Sequence, residues 1–534
     1  MSRGKKDDKR VYFYDSTLRD GQQTLGVDFN VSDKAAIACE LDRLGIDYVE
    51  GGWPGANPTD DSFFAKPPKL RHARLTAFGM TRRPGRSVEN DPGLAALLSS
   101  GAQSVCMVGK TWDFHVQIAL ETTLDENLCM IGESVAHGKT RVEEVLFDAE
   151  HFFDGYKADA DYALACVRAA YEAGARWVVL CDTNGGTLPH EIEAILSQVI
   201  EVVPGSHLGI HCHNDTENAV ANSLAAVRAG ARQIQGTMNG LGERCGNANI
   251  VSLLPTLMLK MGYQAGVSSK GLKQLTKLSH LIDDRLNRVP NHHAAYVGES
   301  AFAHKGGLHV SAVAKDPKSY EHVDPECVGN RRHVVISDQA GKANLLTRLK
   351  EIGIKLSSDD PRLTQLVEQI KAREFEGYSY DSAGASFELL ARRALDTVPE
   401  YFKLINFRVI DERRWNAMGE LITLSEAKIN VDVGGGNVLT VAEGNGPVNA
   451  LDNALCKALA PAYPQLEDIQ LVDYKVRILD SNFGTKAQTR VMIESAAKGA
   501  HWTTVGVSTN VIDASYNALH DSITYKLLRD GAKV

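Results

Sequence analysis

The sequence predicts an α/β chain: a (β/α)8 barrel, then a helical linker region, then a C-terminal α+β domain. Three observations lead there. A helix ending in glycine and followed at once by a strand recurs at Leu44-Gly45-Ile46, Ser100-Gly101-Ala102, Ala173-Gly174-Ala175 and Ala229-Gly230-Ala231. Strand-like runs around Val11, Val49, Arg74 to Phe78, Val105, Glu144 to Phe147, Val178, Leu208 to His211 and Ile234 make eight before about residue 260. From about residue 400 the pattern reverts to strand-like alternation with separate helices, the signature of an independent domain. Eight strand–helix units in this length favour a closed barrel over an open doubly wound sheet.

Taken in order, Val11 to Asp15 is a short strand running into the charged turn Arg19-Asp20-Gly21. Ser32-Asp33 opens a helix with apolar residues at Ala36, Ile37, Leu41 and Leu44, stopped by Gly45. A helix from Pro189 leads through Pro204-Gly205 to Gly209-Ile210-His211-Cys212-His213, and Asn218 to Ala229 follows as the next helix. Residues 270 to 300 read as helical and then irregular, reaching Phe302-Ala303-His304-Lys305-Gly306-Gly307-Leu308-His309. Helices follow near 341 to 353, 360 to 374 and 382 to 395. Beyond them, 402 to 407, 427 to 431, 471 to 476 and 489 to 494 are candidate strands, and 448 to 459 and 514 to 528 are helices. The Gly-rich stretches Val433 to Asn437 and Glu443 to Pro447 lack the Lys-Ser/Thr of a phosphate loop, so they read as a hairpin turn and a helix entry. The expected domains are 1–285, 286–400 and 401–534.

Composition narrows the function. A chain of 534 residues with 43% hydrophobic content can fill a large core and a further domain. Its net charge of −9, with only a short interrupted basic run from Arg3 to Arg10, argues against nucleic acid or an anionic membrane as partner. The start lacks the apolar core of a signal peptide, no segment approaches a membrane span, and nine cysteines without a Cys-x-x-Cys pair fit a reducing, cytoplasmic setting.

The chemistry gathers at strand ends. Side chains alternate on a strand, so His211 and His213 share one face and Cys212 takes the other. Two neutral imidazoles converging on one point suit a divalent metal, although His-x-His also serves as ordinary polar residues. Arg19 and Asp20 on the first strand, Glu50 on the second, Glu150 on the fifth, Asp182-Thr183-Asn184 on the sixth, and Asn239, Glu243 and Asn247 after the eighth lie at the same end. Any one of these could be a cap or a solvated group. Together they converge on the mouth of a barrel.

Asp15-Ser16-Thr17-Leu18-Arg19-Asp20-Gly21, His211-Cys212-His213-Asn214-Asp215 and Gly240-Leu241-Gly242-Glu243-Arg244-Cys245-Gly246-Asn247 resemble the signatures of the 2-isopropylmalate, homocitrate and citramalate synthase family. The resemblance spans essentially the whole chain, tail included, and Glu50 to Pro58 with Phe63-Phe64 is most similar to the citramalate synthase branch. It implies condensation of acetyl-coenzyme A with a 2-oxo acid, pyruvate in this branch, giving (R)-citramalate. It implies a divalent ion (Mn2+, Mg2+ or Zn2+) on Asp20, His211, His213 and Asn247, with Arg19 stabilising the alkoxide and Thr183 binding the substrate carboxylate. Glu150 and His309 are its two candidates for removing the acetyl proton, with Tyr320 supporting the histidine; His304 has a weaker claim. The resemblance further implies a homodimer whose partner subunit contributes the histidine and tyrosine, and isoleucine as effector of the tail. Two alternatives stay open: the same chemistry on another oxo acid, and a catalytically silent metal-binding sensor.

Overall fold

The computed structural model describes residues 9–286, 288, 290–304, 307–334, 342–380, 382–415, 417–479, 487–497 and 500–533. Most of the basic run at the start, and Lys305 and Gly306 of the segment before His309, lie outside them. The chain divides into two compact units, the described residues of Met1–Phe302 with His322–Arg332 and those of Ala303–Glu321 with His333–Val534.

The first unit is a closed barrel of eight strands in sequence order: β1 (Tyr12–Asp15), β2 (Tyr48–Gly52), β3 (Arg74–Met80), β4 (Ser104–Lys110), β5 (Glu144–Glu150), β6 (Trp177–Asp182), β7 (Leu208–Cys212) and β8 (Gln233–Gly236). All its pairings are parallel, and β8 closes on β1 with Asp15 opposite Gly236. The expected (β/α)8 barrel is therefore present, and every strand falls where the alternation placed it. Strand alternation divides the core in two. Outward residues such as Phe13, Val49, Val105, Phe147, Val178, Ile210, Cys212 and Ile234 pack with helix residues such as Ile37, Leu41, Ile131 and Leu196. Inward residues Tyr14, Tyr48, Phe78, Cys106, Leu146, Trp177, Val179 and Cys181 fill the barrel. The first helix starts one residue before the expected one: Asn30 caps Val31–Leu44 by accepting from the Asp33 amide, and Gly45 ends it at φ 103°.

The second unit contains the helix Gly307–Lys315 and, further on, the helices Lys342–Glu351, Pro361–Phe375 and Gly384–Arg393, the last three burying Leu345, Leu349, Leu363, Leu366, Ile370 and Phe387. Two antiparallel sheets follow, each backed by a helix. The first joins β9 (Lys403–Trp415), β10 (Leu421–Val433) and β11 (Gly436–Gly444), with helix Pro447–Leu459. The second joins β12 (Gln470–Ile478), β13 (Thr489–Ala497) and β14 (Ala500–Ser508), with helix Val511–Arg529. Ala427, Ile429 and Val431 of β10 and Val491 and Ile493 of β13 enter one core with Leu451, Leu455 and Leu519.

The tail thus has six described strands where the sequence marked four. The missed ones, β11 and β14, lack a clean apolar stripe, because Thr440, Thr504 and Gly506 stand among the residues that face the backing helices. The first Gly-rich stretch is the β10–β11 turn, and Gly446 caps the helix that starts at Pro447. Among the described residues no helix is long and apolar enough to cross a membrane.

Candidate active site

The site is assembled at the C-terminal ends of the barrel strands. β1 ends on Asp15, whose buried carboxylate accepts from the Thr17 amide and hydroxyl at 3.0 and 2.9 Å. Thr17 Oγ1 in turn accepts from the Met238 amide at 2.8 Å, tying the turn after β1 to the turn after β8. Burial pushes the Asp15 carboxyl up to about 7, against the lowering effect of its hydrogen bonds to Thr17.

This turn delivers Arg19 and Asp20 into the barrel mouth rather than onto the surface. Arg19 Nε donates to Glu50 Oε2 at 2.8 Å, and its guanidinium lies 3.8 Å from the centre of the Phe78 ring. The other oxygen of Glu50, which is fully buried, accepts from Tyr14 Oη at 2.7 Å. Burial disfavours the Arg19 charge, but Glu50 and Asp20 more than offset it and raise its pKa further. Burial also lifts the Glu50 carboxyl, with Arg19 and Tyr14 opposing.

Asp20 stands 3.5 Å from Arg19 and 3.6 Å from His211 Nε2. His211 is on β7, and His213, one residue beyond the strand, is bridged to Asn247. The two Nε2 atoms approach to 3.2 Å. Asp20, His211 and His213 are all buried and offer ligand atoms within 4.8 Å of one another. Burial alone would raise the Asp20 carboxyl, yet Arg19, His211 and His213 hold it below its ordinary value. Burial, then the neighbouring His211, pushes His213 down to about 4, so its ring is neutral near pH 7.

These residues fit a divalent cation. Asp20 Oδ1 and Asn247 Oδ1 are buried with no hydrogen-bond partner, an arrangement that costs free energy unless something else satisfies these acceptors. The loop around Asn247 is built for close approach. A Cβ on Gly242, at φ +156°, would lie 2.3 Å from Asn247 Nδ2, and one on Gly246, at φ +91°, would lie 1.9 Å from the Gly240 carbonyl oxygen. Arg244 fastens the same loop by donating to both oxygens of Asp215, at 2.7 and 2.9 Å, and to the Thr183 carbonyl at 2.7 Å. Thr183 Oγ1 accepts from the His151 amide at 2.9 Å and keeps its own proton to donate. Glu150, at the end of β5, is ion-paired with Lys110 at the end of β4.

Three family profiles tile the chain: HMGL-like over residues 10–282, homocitrate synthase post-HMGL domain-like over 296–376, and LeuA allosteric (dimerisation) domain over 382–527. The chain is 51% identical over 524 residues to an (R)-citramalate synthase of Aquifex aeolicus, covering 98% of both chains. This protein belongs to the (R)-citramalate synthase branch of the HMGL-like family. It is also 51% identical over 519 residues to the (R)-citramalate synthase of Geobacter sulfurreducens, covering 97% of both chains. Against a 2-isopropylmalate synthase of Shewanella oneidensis the figure is 30% over 523 residues, 96% of this chain and 94% of that one. The resemblance drawn from the three signatures is borne out.

Of the residues expected in the site of this citramalate-synthase family member, Arg19, Asp20, His211, His213 and Asn247 meet in one buried cluster, while Glu150 and Thr183 close β5 and begin the loop after β6. His309 and Tyr320 belong to the second unit, where both are exposed and their rings stack with centres 4.1 Å apart. His304 Nε2 is 3.2 Å from Glu321 Oε1 in the same unit. Sequence reasoning named Glu50 without giving it a role, and it missed Tyr14, Lys110, Asp148 and Gln235. Strand alternation carried a signal for two of them: Asp148 shares a face with Glu150 on β5, and Tyr14 is one residue before the end of β1.

Proposed function

We propose that this enzyme condenses acetyl-coenzyme A with pyruvate to give (R)-citramalate and coenzyme A. The observation that carries this reading is the buried Asp20–His211–His213–Asn247 cluster beside Arg19, in a chain that matches (R)-citramalate synthases end to end. A divalent cation held by those four side chains would supply Lewis-acid polarisation of the oxo acid's ketone. Arg19, fixed by Glu50 and Phe78, places a permanent positive charge where the ketone oxygen becomes an alkoxide. Thr183 donates its remaining hydroxyl proton to the substrate carboxylate. Glu150 and His309 are the groups proposed to move the acetyl proton, and Tyr320, stacked on His309, supports the imidazole.

The enzyme is proposed to be a homodimer in which each site takes His309 and Tyr320 from the partner subunit. The matched dimerisation profile supports the dimer, as do the exposed apolar side chains Ile405, Trp415, Leu439 and Val441 of the first tail sheet. The tail is proposed to sense isoleucine, the end product of a route that citramalate would feed. Nine free cysteines are in keeping with a cytoplasmic setting.

Release of coenzyme A should be fastest with pyruvate and at least about tenfold slower in kcat/KM with 2-oxoisovalerate or 2-oxoglutarate, as expected when a pocket must reject a larger side chain. Equal or better turnover of either larger acid reassigns the substrate. Mixing inactive Asp20→Ala and His309→Ala chains should restore partial activity, because a heterodimer assembles one complete site; no recovery after demonstrated subunit exchange contradicts the shared site. Any activity that survives truncation near residue 400, which also removes most of the dimerisation profile, should no longer respond to isoleucine, since inhibition requires the effector to favour one arrangement, typically by about 1–3 kcal/mol. A full-length enzyme indifferent to millimolar isoleucine, or a truncated one still inhibited, contradicts the regulatory assignment.

A further inference from the structure

Behind His211, on the side away from Asp20, lies a chain of buried polar groups that the proposed reaction does not use. Asp148 of β5 accepts from Gln235 Nε2 at 2.8 Å, and Gln235 Oε1 lies 3.0 Å from His211 Nδ1. Gln235 is fully buried on β8 and Asp148 is 4% exposed, so neither can exchange its partner for bulk water.

We propose that Asp148 and Gln235 are positioning residues that lock His211 in the tautomer that turns a lone pair toward Asp20 and His213. The inference rests on the reading of that cluster as a cation site. A carboxylate only accepts, so Asp148 turns the NH2 end of the Gln235 amide toward itself. The amide oxygen is left facing the imidazole, and because that oxygen also only accepts, the proton of a neutral His211 sits on Nδ1. Nε2 then carries the free lone pair, 3.2 Å from His213 Nε2 and 3.6 Å from Asp20 Oδ2. His213 has no such anchor, since its Nδ1 is buried without a partner. The two histidines are therefore inequivalent, with one preset by the barrel wall and the other lacking any partner on its far side. Outer-shell partners of this kind orient a ligating histidine and raise its basicity.

The test measures zinc binding to the metal-free, full-length protein by competition with a chromophoric chelator, together with nitrogen NMR of the imidazoles. Wild-type His211 should show a proton on Nδ1. Gln235→Leu should bind zinc about 10–100-fold more weakly and lose the single tautomer. The double variant Asp148→Asn with Gln235→Glu should recover most of the affinity, because the introduced amide donates to the introduced carboxylate, whose other oxygen still accepts from His211. A role confined to core packing would leave the tautomer unchanged and would not be rescued by reversing the polarity of the pair. Wild-type affinity in a folded Gln235→Leu protein, alongside lost affinity in His211→Ala, overturns the positioning role and leaves the cation site standing. Unchanged affinity in His211→Ala overturns the cation site; the wild-type spectrum, which needs no variant, then decides alone, and a proton on Nε2 of His211 sinks the inference.

Discussion

A carboxylate fully buried in the mouth of a closed barrel has to be paired, and the largely buried Arg19 guanidinium that pairs Glu50 determines where the other charged groups can stand. Breaking such a pair would leave an uncompensated buried charge, so the two residues act as one unit that fixes the turn after β1 against β2. Asp20 follows Arg19 in that turn and is thereby brought to the β7 histidines. Tyr14 and Phe78, both inward residues of the barrel, complete the cage: one donates to Glu50 and the other presents its ring face to the guanidinium. The reactive cluster is a consequence of how the barrel satisfies its own buried charges.

The fold was legible because its signals are local. A glycine just after a helix, as at Gly45, Gly101, Gly174 and Gly230, followed at once by an apolar run, marks a strand–helix unit without reference to distant residues. The meeting of Asp20 with the two histidines was legible for a similar reason. His211 and His213 share a strand face by periodicity, and the Asp15-to-Gly21 and Gly240-to-Asn247 signatures supply Asp20 and Asn247. What stayed hidden depends on pairings between strands far apart in sequence. Lys110 meets Glu150 only because β4 and β5 are neighbours in register, and Asp148 meets Gln235 only because the barrel closes. In the tail, β11 and β14 were missed because Thr440, Thr504 and Gly506 break the apolar run on the faces that pack against the helices.

The same barrel interior serves two ends. Near the strand starts it is an ordinary core, with Trp177 Nε1 donating to Tyr48 Oη at 3.0 Å and Thr76 and Ser104 sharing a 2.7 Å hydroxyl contact. Toward the strand ends the inward positions turn polar and ionisable: Glu50, Asp148, His211 and the amide of Gln235 are each buried and each engaged by another side chain. Stability at one end thus supports preorganisation at the other, which is what a reaction that generates charge on an oxygen requires.

Asp20, His211, His213 and Asn247 are together proposed to hold one divalent cation. X-ray diffraction from crystals of the active, manganese-loaded enzyme, with data collected near the manganese absorption edge, tests it most directly. One anomalous peak per chain is expected, ligated by both imidazoles and by oxygens of Asp20 and Asn247. An active, metal-saturated enzyme with no peak in that cluster, or with a peak elsewhere in the barrel, would contradict it.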